Sequence, residues 1–141
     1  MAKFQLISQF LKDFSFESPN VPELFFKQDN GAAKMDINLD IQIKGADNDV
    51  FMVDLIVKLH SKLEADEKSI FMIESVYSGL VKIEEKKDEE DTKRTLLIDI
   101  PNLLFPSVRA IIMCMTGDSG FPAFAMQPVD FAKMYEENNK K

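Results

Sequence analysis

The stretch that decides the fold is residues 34–44, which read Lys34-Met35-Asp36-Ile37-Asn38-Leu39-Asp40-Ile41-Gln42-Ile43-Lys44. Every odd position from 35 to 43 is apolar, and every even position from 34 to 44 is polar. Successive side chains of a β-strand point to opposite faces of its sheet. The alternation therefore predicts a strand with one buried and one hydrated face, as found in antiparallel sheets.

Three more segments share this period of two. Residues 4–16 are apolar at every even position except Ser8 and Lys12, and residues 50–63 are apolar at the odd positions 51–59. Residues 70–84 form a fourth run, with an internal Gly79 of the kind that often marks a bulge or bend. Turn-forming residues separate the runs at 18–22, 45–49 and 64–67. Four consecutive strands predict an antiparallel sheet.

The pattern changes after residue 84. Residues 84–94 carry both signs of charge and no apolar side chain, so we expect a solvated loop there. Pro106 suits the first turn of a helix and Gly117 suits the position after its end, which predicts a helix over residues 107–116. Cys114 lies in an apolar run of this helix, and we expect it to be a small buried hydrophobe.

This helix is apolar on every side. Its apolar members are Val108, Ala110, Ile111, Ile112, Met113, Cys114 and Met115. A surface helix normally has one apolar stripe and a polar opposite side. Because one small sheet covers only one side of a helix, we expect the other side to pack against a second subunit.

The C-terminal part combines an apolar loop with a last helix. Residues 120–128 contain Phe121, Phe124 and Met126 between glycine and prolines. A loop this apolar must be buried by another surface or must itself bury one. Asp130 is placed to cap a helix whose apolar residues recur at helical spacing. They are Phe131, Met134 and Tyr135. We expect residues 136–141 to fray.

Length and charge exclude several classes of protein. The 141 residues fit one domain, and the formal net charge of −7 would repel nucleic-acid phosphates. The N-terminal residues lack the apolar run of a signal peptide, and polar residues interrupt the apolar stretch 96–115, unlike a membrane-spanning helix. We therefore expect a cytoplasmic protein with no nucleic-acid partner and no membrane insertion.

No pattern for catalysis or cofactor binding stands out. His60 is the only histidine, and it alternates with Lys58 and Lys62 on a strand, so we expect it to face solvent. The chain has no glycine-rich phosphate loop, and its acidic residues 88–91 lack the spacing of a calcium loop. We expect neither an enzyme nor a bound cofactor or metal. The 12 Phe and 8 Met residues suit adaptable apolar surfaces.

Four residues suggest a functional face of the sheet. Asp13 and Glu17 project from one face of the first strand, and Met72 and Glu74 share a face of the fourth. Two carboxylates could serve acid–base catalysis, or they could be outward polar residues. Without a concave pocket in the pattern, we favour the second interpretation. An acidic patch with one apolar member is then a hypothesis.

Three motifs lie at the spacing of a known family. The first is Lys12-Asp13-Phe14-Ser15-Phe16-Glu17-Ser18-Pro19-Asn20-Val21-Pro22. The second is Pro101-Asn102-Leu103-Leu104-Phe105-Pro106-Ser107-Val108-Arg109. The third joins Gly120-Phe121-Pro122 to Pro128-Val129-Asp130-Phe131. Together they resemble the SecB family of bacterial protein-export chaperones, and the resemblance spans nearly the whole chain.

The resemblance implies an α+β fold, with a four-stranded antiparallel sheet that carries two C-terminal helices on one face. Residues 1–135 would form a single domain, and subunits would assemble as a dimer of dimers, a homotetramer. The apolar helix would then lie in a subunit interface formed by Val108, Ile111, Ile112 and Met115. The implied activity is that of an ATP-independent holdase, which binds unfolded precursor proteins and delivers them to the SecA translocation motor.

The resemblance also implies two binding surfaces. Unfolded clients would lie in an apolar groove near Phe121, Phe124, Met126, Phe131, Met134 and Tyr135. The motor would contact the sheet at Asp13, Glu17, Met72 and Glu74, where an acidic patch would attract a basic partner.

Three alternatives stay open. A SecB-like chaperone dedicated to one client, such as an antitoxin, would share the fold and the groove. A small α+β enzyme would need a polar constellation in its pocket, and a structural protein with one fixed partner would need only a smooth apolar interface. The charged segment 84–98 and the basic end Lys140-Lys141 depart from the family's pattern.

Overall fold

Four long strands form the sheet of this protein. The structure is a computed structural model that describes residues 2–27, 29–45, 47–85 and 88–139. The strands are β1 (Lys3–Glu17), β2 (Ala33–Gly45), β3 (Val50–Leu63) and β4 (Ser69–Glu85). They form one antiparallel sheet in the order β1-β4-β3-β2, so β1 and β2 are its edges. All four predicted strands are confirmed.

A continuous helical segment follows β4. It consists of α2 (Glu89–Arg94), a π-helical turn (Thr95–Asp99) and α3 (Ile100–Asp118), after a short α1 (Glu23–Phe26) earlier in the chain. Asp88 caps the segment, because its Oδ1 accepts a hydrogen bond of 2.7 Å from the Asp91 N–H. The predicted solvated loop over residues 84–94 is therefore wrong from residue 89 onward.

The predicted helix over residues 107–116 lies inside α3, but both of its predicted ends are wrong. Pro106 lies in the helix interior and Gly117 is helical. Proline leaves the carbonyl of Asn102 without its helical donor, and this is tolerated because Asn102 is exposed to water. The helix ends at Asp118, and Gly120 then adopts a φ of 92°, the left-handed region that favours glycine.

The described residues fall into two compact units, and each strand contributes to both. The first unit comprises the described residues within Met1–Phe10, Ile41–Leu55 and Tyr77–Lys141. The second unit comprises those within Leu11–Asp40 and Ile56–Val76.

The core of the first unit lies between the sheet and α3. Gly79 allows close packing there, because a Cβ added to it would lie 3.1 Å from Leu104 Cδ2. Gly79 had suggested a bulge, and it instead makes room for the helix. The surrounding side chains are buried at one-turn spacing along α3 and at alternate positions of the strands. They are Val53, Leu55, Val81, Ile83, Ile100, Leu104, Val108 and Ile112.

The core of the second unit uses the same alternation. Val57, Leu59 and Ile73 are buried at odd positions of β3 and β4. Leu24 of α1 is also buried, so this short helix contributes an apolar side chain to the unit. The intervening even positions of these strands are exposed or half-buried, and they include the half-buried apolar residues Ile56, Met72 and Val76. The second unit therefore has one buried side and one partly open side of mixed polarity.

A last helix, α4 (Phe131–Asn139), ends the described chain. Asp130 caps it as predicted, since its Oδ1 accepts a hydrogen bond of 3.0 Å from the Lys133 N–H. Residues 136–139, which were expected to fray, are helical. Lys140 and Lys141 lie outside the described residues.

By length and composition, the helical segment Glu89–Asp118 could cross a membrane. Core helices of globular proteins meet the same criterion. One side of α3 packs in the core of the first unit through Leu104, Val108 and Ile112, which is the arrangement of a core helix.

Candidate functional site

The exposed side of the sheet in the second unit carries four predicted functional residues. The Phe16 ring stacks on Phe71 with centroids 5.8 Å apart, so even positions of β1 and odd positions of β4 share one side here. The odd positions of β1 and even positions of β4 project from the opposite side. They include Asp13, Glu17 and Glu74, which are exposed, and Met72, which is half-buried. We call this surface the sheet face.

The sheet face is mixed in sign, whereas the sequence predicted an acidic patch. A shallow pocket of about 150 Å³ opens on it, lined by Asp36, Asn38, Lys58, Leu59, His60, Met72, Ile73 and Glu74. Lys58 and His60 of β3 therefore lie beside the acidic residues. His60 was expected to face solvent, but it is half-buried and its Nε2 lies 3.0 Å from Ser69 Oγ. The sequence did not predict Lys58 and His60 at this face, because the family positions cover only Asp13, Glu17, Met72 and Glu74.

Some charges of the second unit are paired within the chain. Lys62 Nζ lies 3.4 Å from Asp36 Oδ2, and Lys34 Nζ donates a 2.6 Å hydrogen bond to Glu67 Oε1. This hydrogen bond raises the pKa of Lys34 and lowers the pKa of Glu67. The sheet-face charges that form no ion pair within the described part of the chain are Asp13, Glu17, Lys58 and Glu74.

The predicted client-binding residues, all in the first unit, divide into two groups. Phe121, Phe124 and Met134 are half-buried. The other three, Met126, Phe131 and Tyr135, are buried in the chain itself, with 2%, 1% and 5% of their surface exposed. Phe131 packs edge to face against Phe105, with ring centroids 6.0 Å apart. These three side chains therefore belong to the core of the first unit and do not face outward.

Tyr135 connects α4 to α2. Its hydroxyl donates a 2.5 Å hydrogen bond to Glu90 Oε1, and the Arg94 guanidinium lies 5.3 Å from the centre of its ring. The hydrogen bond to the Glu90 carboxylate raises the pKa of Tyr135, because it favours the neutral phenol. Sequence analysis missed this cluster by assigning residues 84–94 to a loop. The acid–base spacing of Glu89 to Lys93 and Glu90 to Arg94 was the helix signal.

Thr116 holds the apolar loop against the end of α3. Its side chain is fully buried, donates a 2.8 Å hydrogen bond to the Ile112 carbonyl and accepts one of 2.9 Å from the Phe124 N–H. The Thr116 carbonyl also accepts a 3.2 Å hydrogen bond from the Phe121 N–H. Nothing in its sequence context distinguished Thr116 from the other polar residues of the helix. Thr116 thus holds the backbones of two aromatic loop residues, Phe124 through its hydroxyl and Phe121 through its carbonyl.

An open groove of about 770 Å³ lies elsewhere in the first unit. Ile43, Phe51 and Leu96 give it apolar lining, and its polar lining residues are Asp88, Glu89, Glu90, Thr92 and Lys93. The sequence did not predict this groove, because its polar residues lie on α2, a segment that was predicted to be a loop. These carboxylates are not arranged with other ligands to hold a metal ion, and no such group of three occurs within the described ranges.

The side of α3 that faces away from its core exposes apolar residues beside the exposed Arg109. Leu103 is 46% exposed and Met113 is 36% exposed, while Ile111 and Met115 are half-buried. Val108 and Ile112, which were also predicted as interface residues, are buried in the chain's own core.

Cys114 lies on this open side, so its predicted burial is wrong for the single chain. Its Sγ donates a 3.5 Å hydrogen bond to Asp118 Oδ2, and this contact raises the pKa of the Cys114 thiol. The prediction failed because an apolar sequence context cannot distinguish the two sides of a helix that is apolar all round.

The whole chain, residues 1–141, matches the family model for SecB, the preprotein translocase subunit. A relative from Caulobacter vibrioides, named protein-export protein SecB, is 38% identical over 136 residues, which cover 95% of this chain and 80% of the relative. The protein of the same name from Anaplasma phagocytophilum is 30% identical over 145 residues, which cover 96% of this chain and 92% of the relative.

A solved structure shares the fold. It is the Mycobacterium tuberculosis SecB-like chaperone Rv1957 in complex with a ChAD peptide from the antitoxin HigA1. Its TM-score is 0.74 at 13% identity, and the match covers 89% of this chain and 90% of that one. Because the family model spans the entire chain and relatives match most of it at 30–38% identity, the chain belongs to the SecB family of protein-export chaperones.

Proposed function

We propose that this protein is a cytoplasmic, ATP-independent holdase without enzymatic activity, which binds unfolded precursor proteins and delivers them to the SecA motor. Its membership of an export family and the export names of its relatives support this function. The proposal assigns the two tasks to two surfaces. Clients bind the apolar surface of the first unit, and the motor docks on the sheet face of the second.

The main support for the proposal is that four residues of the family pattern lie on the same side of the sheet. Asp13, Glu17, Met72 and Glu74 lie on one side of the sheet, and their three carboxylates form no ion pair in the described chain. Carboxylates that are not neutralised within the chain attract a basic partner and speed its association. One half-buried methionine among them adds an apolar contact.

Two features of the first unit support client binding. The half-buried Phe121, Phe124 and Met134 present aromatic and thioether groups, which accept many apolar shapes without requiring particular hydrogen bonds. The groove of about 770 Å³ adds a second apolar surface through Ile43 and Phe51. Several weak contacts along one unfolded chain give useful affinity by multivalency.

The proposed assembly is a homotetramer, a dimer of dimers. The exposed apolar residues of α3 support it: Leu103 and Met113 are exposed, and Ile111 and Met115 are half-buried. Exposed apolar side chains on a helix favour burial against another copy. In this assembly Cys114 would also be covered, as its sequence context suggested.

A chaperone dedicated to a single antitoxin is the alternative. The Mycobacterium tuberculosis neighbour binds an antitoxin peptide, but at 13% identity it supports the fold alone. The relatives at 30–38% identity are export proteins, and the motor-contact motif is present, so we favour export.

The test combines molar mass by light scattering with suppression of aggregation of several unrelated unfolded proteins, without nucleotide. We expect a mass near four times 16.1 kDa and protection of most clients. A monomer that protects none of them would overturn the proposal. Protection of a single client only would favour the dedicated chaperone.

A further inference from the structure

Lys58 lies between two carboxylates of the sheet face. It is exposed on β3, the strand between β4 and β2, and it lines the shallow pocket together with Glu74 of β4 and Asp36 of β2. Asp36 is already paired with Lys62, whose Nζ lies 3.4 Å from Asp36 Oδ2. Glu74 forms no ion pair in the part of the chain that the structure describes. Lys58 therefore shares its pocket with one neutralised carboxylate and one that is still available to a partner.

The ammonium group of Lys58 opposes the attraction that Glu74 exerts on a cation. The two side chains form no ion pair, yet they line one pocket of only about 150 Å³. Exposed charges this close together are screened only in part, because the Debye length at physiological salt is about 8 Å. A basic side chain that approaches Glu74 is therefore attracted by the carboxylate and repelled by Lys58 at the same time.

The carboxylates of β1 lie farther from Lys58. Among the described residues, Asp13 and Glu17 are not part of the pocket lining, and β4 separates their strand from β3. Neighbouring strands lie about 4.8 Å apart, so about 10 Å of sheet separates the row of β1 from the row of β3. At this distance the repulsion by an exposed ammonium is largely screened. The attraction by β1 is therefore weakened less than the attraction by β4.

We propose that Lys58 limits the affinity of the sheet face for SecA, by competing with basic side chains of the motor for Glu74. Docking then depends mainly on Asp13 and Glu17, and Glu74 contributes less than its exposure suggests. The inference rests on the proposed docking of SecA and adds a residue that sets its strength. Weaker docking shortens the residence time of the motor, because affinity differences between related complexes lie mostly in the dissociation rate.

The experiment removes the charge of Lys58 and measures SecA binding by surface plasmon resonance. At about 0.1 M salt, Lys58→Gln should raise the affinity about two- to threefold, mostly through slower dissociation. Lys58→Arg keeps the charge and should bind SecA as the unmodified protein does. A disturbed fold would weaken binding, so a gain that requires loss of the charge identifies an electrostatic role. Unchanged or weaker binding by Lys58→Gln would overturn the inference.

Lys82→Gln is the matched control. Lys82 is exposed at an even position of β4 in the first unit, it does not line the pocket, and its replacement changes the net charge equally. We expect no gain in SecA binding from this variant. An equal gain in both variants would show that net charge governs docking, and the role of Lys58 would be wrong.

Two further variants test the unequal contributions of β1 and β4. Glu17→Gln should weaken SecA binding more than Glu74→Gln does. In a protein that already carries Lys58→Gln, the loss caused by Glu74→Gln should become larger, because the competing ammonium is gone. An equal loss in both backgrounds would show that Lys58 does not compete for Glu74.

A double reversal separates failure of this inference from failure of the proposed function. Glu17→Lys combined with Glu74→Lys should weaken SecA binding if the motor docks on the sheet face at all. Loss in this variant, without a gain in Lys58→Gln, overturns only the limiting role of Lys58. No loss in this variant overturns docking on this face, and the inference with it.

Discussion

The apolar region of the first unit and the sheet face of the second differ in burial and charge, so we expect them to bind their proposed partners by different physics. In the first, Phe131 and Tyr135 are almost fully buried, and α4 and its loop are held by packing and by Thr116. On the sheet face, the carboxylates of Asp13, Glu17 and Glu74 are exposed on a rigid strand scaffold. Apolar contacts in the first region are not screened by salt, whereas charge contacts on the second are. We therefore expect the proposed client binding and motor docking to respond differently to ionic strength.

The largest expected effect tests which apolar residues belong to the core. Phe131→Ala should lower the free energy of unfolding by about 3–5 kcal/mol, because it removes a buried aromatic side chain. Phe124→Ala, at a half-buried position, should cost less stability and remove more client protection. Urea unfolding and suppression of aggregation measure the two effects. Equal destabilisation by both substitutions would break the distinction between supporting and client-facing residues.

A smaller effect tests whether the sheet face binds SecA independently of the apolar region that binds clients. Glu17→Lys with Glu74→Lys should weaken SecA binding about tenfold at low salt, and less at high salt. The free energy of unfolding should change by less than about 0.5 kcal/mol, since both positions are exposed surface. Client protection should be unchanged.

Glu84→Lys with Glu85→Lys is the control for that variant, because both residues are exposed in the first unit and the charge change is equal. Equal loss of SecA binding in the control would show that net charge, and not the sheet face, governs docking.

The smallest effect concerns the contact between α4 and α2. The hydrogen bond to Glu90 raises the pKa of Tyr135, so the folded protein favours the neutral phenol. Its contribution to stability is complete below the ordinary tyrosine pKa of about 10 and is lost as the pH rises through the higher folded value. Tyr135→Phe should cost about 1 kcal/mol at neutral pH.

The titration is measurable because the chain has only two tyrosines. Subtracting the tyrosinate absorbance of Tyr135→Phe from that of the unmodified protein isolates Tyr135. Ionisation at or below the pKa of an unfolded tyrosine would contradict the contact with Glu90.

Strand parity explains why the sheet was predictable. Alternation in residues 35–43 or 51–59 reports directly which side of a sheet a residue faces, and the placement of Asp13 and Glu17 on one side followed from it. Loops have no such period. The burial of Met126 therefore could not be predicted from residues 120–128, although the apolar character of the loop could.

The helices were harder to predict from the sequence, for two physical reasons. α2 contains no buried residue, so hydrophobic periodicity could not reveal it. α3 is apolar on both sides, so the pattern indicated a second packing partner but not which residues, such as Val108, belong to the chain's own core.

The π-helical turn between α2 and α3 has a consequence for the history of the chain. The Ile100 N–H donates to the Thr95 carbonyl, five residues back instead of four. A π-turn of this kind accommodates one additional residue, and each residue of an α-helix accounts for about 100° of rotation. Deleting one residue within 95–99 would therefore turn α2 by about 100° about the helix axis and carry Glu89 and Glu90 away from the groove they line. Homologues that lack the turn should show a single-residue gap here, and their grooves should have a differently charged wall.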